Sequence, residues 1–324
     1  MRMINFGYHL PLMNTLVDRP LPTRLLARGH ELDLRAESFG FLSASNDALG
    51  DPDELRRRLQ EEGYLYMPGF FDPDMIMDAR RSLTDRLSAQ GLLHPDHDPI
   101  DGIAHADPAR RTAFKPDLTE NNAAIDRVVF GSEIFGFYEG LFGEKVRAFD
   151  FKWLRAVGPG QGTQAHCDWV YMSRGTPNLL TCWIPYGNVP LEVGGLMLLE
   201  RSHLQAARIK HYLEVDVDAY CENRPKDAAL AQAGKWKHSG WLSERSDTLP
   251  EKFKTRWLTA HEWRIGDFVT FNMTMIHGSL DNTTDRIRLS SDTRYQRASE
   301  PADERWIGPK PIGHSTAGKR GRIC

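Results

Sequence analysis

Cysteine is scarce in this chain and forms no motif. Cys167, Cys182, Cys221 and Cys324 make no C-x-x-C pair and no zinc-ribbon spacing, which excludes a cysteine-built zinc module or a dithiol redox centre. All four read as reduced thiols of a cytoplasmic protein. No apolar run is long enough to span a bilayer, and the N-terminus lacks the charged-then-apolar pattern of a secretion signal. An excess of one charge is missing too: the net charge of -3 gives no reason to expect nucleic acid or an anionic membrane as partner. There is no internal repeat and no low-complexity tract, so solenoid and linker architectures are excluded. What is there is an ordinary globular composition, 40% hydrophobic and 26% charged, over enough residues for one large core. The sequence leaves the oligomeric state open.

Residues 1 to about 50 have no strong period and read as an extension that wraps the domain without chemistry of its own. Asp51-Pro52-Asp53-Glu54 then predicts a helix start, with Asp51 as N-cap, Pro52 at the first helical position and Glu54 placed for a capping box; Gly63 suits the left-handed closing position. Residues 64–71 read as a strand and turn. Asp72-Pro73 repeats the start signal for a longer helix carrying Met75, Ala79, Leu83 and Leu87 at helical spacing and ending near Gly91. Two further helices are expected over 122–130 and 132–142, then strands over 145–157, 179–189, 194–200, 267–272 and 286–295. Between the strands at 194–200 and 267–272, residues 204–254 turn polar, an insertion of the length that serves as functional cover. The tail beyond Gln296 reads as peripheral. Helices first and strands afterwards predict a mainly β domain over 51–324, a jelly roll or double-stranded β-helix with N-terminal helices packed on it.

One stretch organises the chemistry. His166-Cys167-Asp168 follows the turn Gly158-Pro159-Gly160-Gln161-Gly162 and runs into Trp169-Val170-Tyr171. On a strand, His166 and Asp168 share one face and Cys167 points to the other, where it packs. An imidazole and a carboxylate supply two corners of a 2-His-1-carboxylate site for Fe(II); His277, after the strand 267–272, supplies the third. Two other H-x-D triplets, His94-Pro95-Asp96 and His105-Ala106-Asp107, lie in the Pro- and Asp-rich stretch 94–107 and read as loop. Arg288 lies past the turn 281–285, where strand pairing can return it beside His277 as a fork for a carboxylate. Arg286 and Arg294 share its parity and read as solvated or ion-paired strand arginines.

These residues sit in three blocks, "EEGYLYMPGFFDPDMI", "GTQAHCDWVYM" with "LLTCWIPYGNVPLEVGGLMLLERSH", and "GDFVTFNMTMIHGSLDNTTDRIRLSSDTRY". Together they resemble the phytanoyl-CoA dioxygenase family of Fe(II)/2-oxoglutarate-dependent oxygenases. The resemblance implies that His166, Asp168 and His277 bind iron and that Arg288 takes the distal carboxylate of 2-oxoglutarate, with Ser279 and Trp183 beside it. It implies O2 as cosubstrate, succinate and CO2 as co-products, and hydroxylation of a small metabolite or natural-product intermediate. Desaturation, cyclisation or epoxidation use the same ligands, whereas Asp168 argues against halogenation. Trp183 reads equally as a core tryptophan. Where the family has Gly-Ser-His this chain has Arg201-Ser202-His203, a departure that falls on a turn. Trp153, Arg155, Trp169, Tyr171 and Arg174 flank the metal block and are the candidates for a substrate pocket. A zinc hydrolase or a silent jelly-roll binding protein would keep the ligands but leave Arg288 without a role.

Overall fold

The computed structural model describes residues 22–324. Residues 1–21, which hold the first part of the expected extension and the segment judged free of a secretion signal, lie outside the described residues. Two sheets face each other. The larger, six-stranded, runs in the order Tyr64–Met67, Phe268–Asn272, Leu180–Pro185, Arg288–Arg297 and Val146–Ala148, with Trp153–Val157 also paired to Arg288–Arg297. The smaller has four strands, His277–Ser279, Leu196–Leu199, Trp257–Thr259 and Phe39–Phe41. This is the jelly roll, and strand alternation builds its layers. Leu180, Cys182 and Ile184 point out to the N-terminal helices, while Thr181 and Trp183 point in. Along Arg288–Arg297, Leu289 and Tyr295 also pack outward, so Arg288, Ser290, Asp292, Arg294 and Gln296 share the inward face.

The helices form where their start signals stand. Pro52–Glu62 opens on Asp51, whose carboxylate accepts the Glu54 amide, and ends at Gly63 with φ 81°. The expected box is half made, because the Glu54 carboxylate bonds Arg57 and Arg58 rather than reaching back to Asp51. Pro73–Ala89 is capped by Asp72 and buries Ile76, Ala79, Leu83 and Leu87 against the large sheet; with Ala123–Val129 and Ser132–Phe142 it covers that sheet.

Three expectations need correction. Residues 163–171 are not a strand: only Ala165 and His166 make bridges, and from Asp168 the chain turns into the short helix Trp169–Met172. The tail is not peripheral, since Arg305 and Trp306 are buried and Arg320–Arg322 pairs in parallel with Ala219–Cys221 of the insertion. That pairing brings Cys221 and Cys324, 103 residues apart, into a disulfide, so only Cys167 and Cys182 are free thiols. A separation of that size leaves no local motif; the strand pairing creates the contact. Arg201 adopts φ 52°, a left-handed conformation that glycine takes more readily than arginine.

Candidate metal centre and substrate chamber

His166 and His277 are joined backbone to backbone. Each amide donates to the other's carbonyl at 2.9 Å, the closely bonded antiparallel pair that puts two side chains side by side on one face. Their rings lie 4.1 Å apart, centroid to centroid. Gly278 permits this approach, because a Cβ there would stand 3.0 Å from the Thr163 carbonyl. Asp168 arrives by the turn that ends the bridge: the Trp169 amide donates to Met273 and the Tyr171 amide to Asp168. Asp168 Oδ1 is 3.8 Å from Nε2 of both histidines. One ligand atom from each of the three residues lies within 4.8 Å of the others. Cys167 points away as expected, its thiol on the Thr274 carbonyl and its side chain among Ala165 and Ile276.

Each ring is oriented through its far nitrogen. His166 Nδ1 lies 2.8 Å from the Gln164 carbonyl and His277 Nδ1 3.1 Å from the Met275 carbonyl. A carbonyl can only accept, so Nδ1 carries the hydrogen and Nε2 keeps its lone pair for a cation. Burial, then the neighbouring imidazole, pushes His166 down to about 3; burial lowers His277 as well. Burial works against ionised Asp168, but Arg294 and then the two histidines outweigh it and hold the carboxyl well below its usual range. Two neutral imidazoles and an ionised carboxylate are the donor set that fits Fe(II).

Beside the triad runs a narrow cleft lined by Trp183, Leu196, His277, Ser279, Arg288 and Asp292. Arg288 is buried; its guanidinium donates to the Gly194 carbonyl and its Nε has no partner. Burial and the Arg155 cation bring it down to about 9. Gly194 presents that carbonyl from φ 87°, where a Cβ would come within 2.6 Å of the Leu280 carbonyl. The other inward arginines are already paired, Arg155 to Asp292 at 2.6 Å and Arg294 to Asp168 at 2.8 Å. Arg286 is exposed.

A wider chamber of about 240 Å³ opens on the other side of His166 and Asp168. Trp153, Arg155 and Tyr171 line it as expected. Trp169 and Arg174 do not: the Trp169 indole donates to Leu213, and Arg174 is held by Asp216 and Gly318. Sequence reasoning missed Phe114, Gln164, Trp241 and His314 in the wall, because no local pattern joins a loop, the insertion and the tail. It also missed Arg294 and Thr181 on Asp168, although the strand parity of Arg294 was a usable signal. The two discounted triplets are far from chemistry; Nδ1 of His94 and of His105 each accepts the amide two residues on, a local turn.

Comparison with known proteins agrees with this geometry. The sequence profile of the family described as phytanoyl-CoA dioxygenase (PhyH) matches residues 59–290. The chain belongs to that family. It is also similar to 1-deoxypentalenic acid 11-beta-hydroxylase of Streptomyces exfoliatus, 24% identical over 296 residues, 84% of this chain and 90% of that one. Among solved structures it is similar in fold to EctD of S. alaskensis, with a TM-score of 0.52 and 14% identity, covering 92% and 98% of the two chains. It also resembles the carbocyclase SnoK from nogalamycin biosynthesis, with a TM-score of 0.51 and 18% identity, covering 77% and 85%. As a phytanoyl-CoA dioxygenase family member this chain is an Fe(II)- and 2-oxoglutarate-dependent oxygenase that uses O2 and acts on a small molecule. No described helix is long and apolar enough to cross a membrane.

Proposed function

We propose that His166, Asp168 and His277 hold the iron of this oxygenase, that Arg288 with Ser279 and Trp183 receives the distal carboxylate of 2-oxoglutarate, and that the enzyme hydroxylates a compact, largely apolar molecule bearing an acidic group. The observation that carries the cosubstrate assignment is the buried, uncompensated Arg288 in the same cleft as His277. A buried cation without a carboxylate costs several kcal/mol, and the far end of a dicarboxylate removes that cost through a bidentate fork. Iron with 2-oxoglutarate and O2 supplies the oxidising power. The chain's residues orient the reactants and exclude water.

The substrate class rests on charge and shape. Three inward arginines, Arg155, Arg288 and Arg294, face two carboxylates, Asp168 and Asp292. Fe(II) and doubly charged 2-oxoglutarate cancel, so the centre keeps one positive charge for the substrate. Trp153, Tyr171 and Trp241 supply apolar walls, and Arg155 borders both the chamber and the cleft. A carboxylic acid substrate is also what the name of the Streptomyces exfoliatus hydroxylase records. We read 51–324 as one catalytic domain, to which Phe39–Phe41 of the preceding extension adds a strand, and the insertion 204–254 as its cover. Its Ser239 and Trp241 lie on the chamber, and its Tyr212 hydroxyl receives the Cys167 amide at 3.0 Å. A cytoplasmic location belongs to the same proposal.

Anaerobic titration should show one Fe(II) per chain, and 2-oxoglutarate turnover should yield succinate only with iron present. His277→Ala should abolish both, while alanine at His94 and His105 together should leave iron stoichiometry unchanged. Wild-type iron affinity in His277→Ala would defeat the triad.

A further inference from the structure

Asp168 has two oxygens, and only one of them faces the histidines. Oδ1 lies 3.8 Å from each Nε2. Oδ2 is turned outward, accepting from Thr181 Oγ1 at 2.5 Å and from Arg294 Nη2 at 2.8 Å. We propose that Thr181 and Arg294 form a clamp that restricts Asp168 to a single ligand oxygen. The proposal rests on the metal-site reading above and concerns what keeps that site open.

The clamp is built by sheet register. Thr181 and Arg294 are direct partners on the neighbouring strands Leu180–Pro185 and Arg288–Arg297, and both side chains point inward. Arg294 is held on three sides: its guanidinium lies over the Trp153 ring at 4.2 Å, its Nη1 donates to the Asp292 carbonyl at 3.2 Å, and its Nη2 meets Asp168. Trp153 thus serves the metal centre as a shelf as well as the chamber as a wall. Asp168, Thr181 and Arg294 are all buried, so water does not compete for Oδ2.

The consequence is a matter of vacancies on the metal. Two imidazoles and one carboxylate oxygen leave three positions, the number that a chelating 2-oxoacid and O2 require. A carboxylate free to rotate can bind through both oxygens and take one of them. Arg294 cannot be present to strengthen metal attraction, because its positive charge opposes a cation. Besides keeping the buried carboxylate ionised, Arg294 fixes its orientation through Nη2, and Thr181, which carries no charge, shares that second task.

Co(II) is a suitable probe because its visible absorption reports coordination. Thr181→Val, which keeps side-chain shape and charge, and Arg294→Met should both bind Co(II) stoichiometrically. Each should show a Co(II) spectrum shifted from wild type before cosubstrate is added, because a second Asp168 oxygen would replace a metal-bound water, and a Kd for 2-oxoglutarate raised roughly tenfold or more, the scale of effect that loss of an outer-shell partner has on metal sites. Arg294→Lys, which retains a donor, should lie between these and wild type. A structural role alone would lower melting temperature and leave the Co(II) spectrum unmoved. If Arg294→Met does not fold, Thr181→Val and Arg294→Lys carry the test. Wild-type spectra and wild-type 2-oxoglutarate affinity in the variants would overturn the clamp alone, whereas wild-type protein that takes up no Co(II) would remove the metal-site reading and the clamp with it.

Discussion

Arg288 and Arg294 lie six residues apart on one strand face, and their surroundings separate them. Among the described residues Arg288 has no carboxylate partner, while Arg294 has Asp168. Replacing Arg288 by Lys keeps the charge but loses the planar fork. Loss of a charge-assisted hydrogen bond costs on the order of 1.5–3 kcal/mol, so the KM for 2-oxoglutarate should rise roughly tenfold to a hundredfold with iron affinity barely changed. Arg286→Lys, on the surface, should do nothing measurable. Equal KM defects in both variants would show that neither arginine holds the cosubstrate. At this scale the sequence was legible wherever spacing reports a shared face. Arg288 and Arg294 could be placed on one face that way, whereas the strand expected to join His166 and Asp168 is a bridge followed by a turn. The ion pairing of Arg294 could be read too, but its partner could not, because Asp168 is more than a hundred residues away and only the register of Thr181 with Arg294 brings the strands together.

Elements were legible where end signals and period agreed. Asp51-Pro52 and Asp72-Pro73 gave helix starts that the structure reproduces. The metal segment 163–171 failed as a strand because its pattern was composition alone: aromatic and β-branched residues at 169–171 favour a strand, yet the chain turns there to aim Asp168 at the histidines. The insertion was legible as an interruption, not as a shape. Its 239–243 edge is stitched to the metal segment, with the Tyr171 hydroxyl on Ser239 at 2.8 Å and the Leu242 amide on Ala165 at 2.8 Å, while most of 222–230 is exposed. The insertion is tied down on both sides of 222–238, by Ala219–Cys221 against the tail and by 239–243 against the metal segment, so it moves mainly between those anchors. Hydrogen exchange should therefore fall over 222–238 when metal, 2-oxoglutarate and substrate are bound together, and stay low throughout at 240–243. Equal exchange over 222–238 with and without ligands would leave the insertion as fixed wall.

At the scale of the whole molecule, both described ends of the chain are built into the catalytic unit. Phe39–Phe41 extends the small sheet, and the tail carries His314 to the chamber wall. Two devices hold the tail, and they act on different states. The Cys221–Cys324 bond closes a loop across a separation of 103 residues, so it restricts mainly the unfolded chain, worth about 2–4 kcal/mol. Asp218 acts in the folded state: it is buried and receives Arg305 at 2.6 Å, His314 at 2.8 Å and Lys319. Burial opposes its charge, but His314 and Lys319 prevail and keep the carboxyl well below the ordinary range. A depressed folded pKa gives stability that is present above the unfolded value of roughly 4 and is lost as pH falls toward the folded one. Acid should thus loosen the tail as Asp218→Asn does. Cys324→Ser should lower global stability in denaturant while leaving exchange over 305–319 near wild type. Asp218→Asn should raise exchange over that same segment, since Lys319 and His314 lose their carboxylate while Arg305 keeps Asp303. Should Cys324→Ser expose 305–319 as fully as Asp218→Asn, the covalent bond rather than the charge cluster would be what keeps His314 at the chamber.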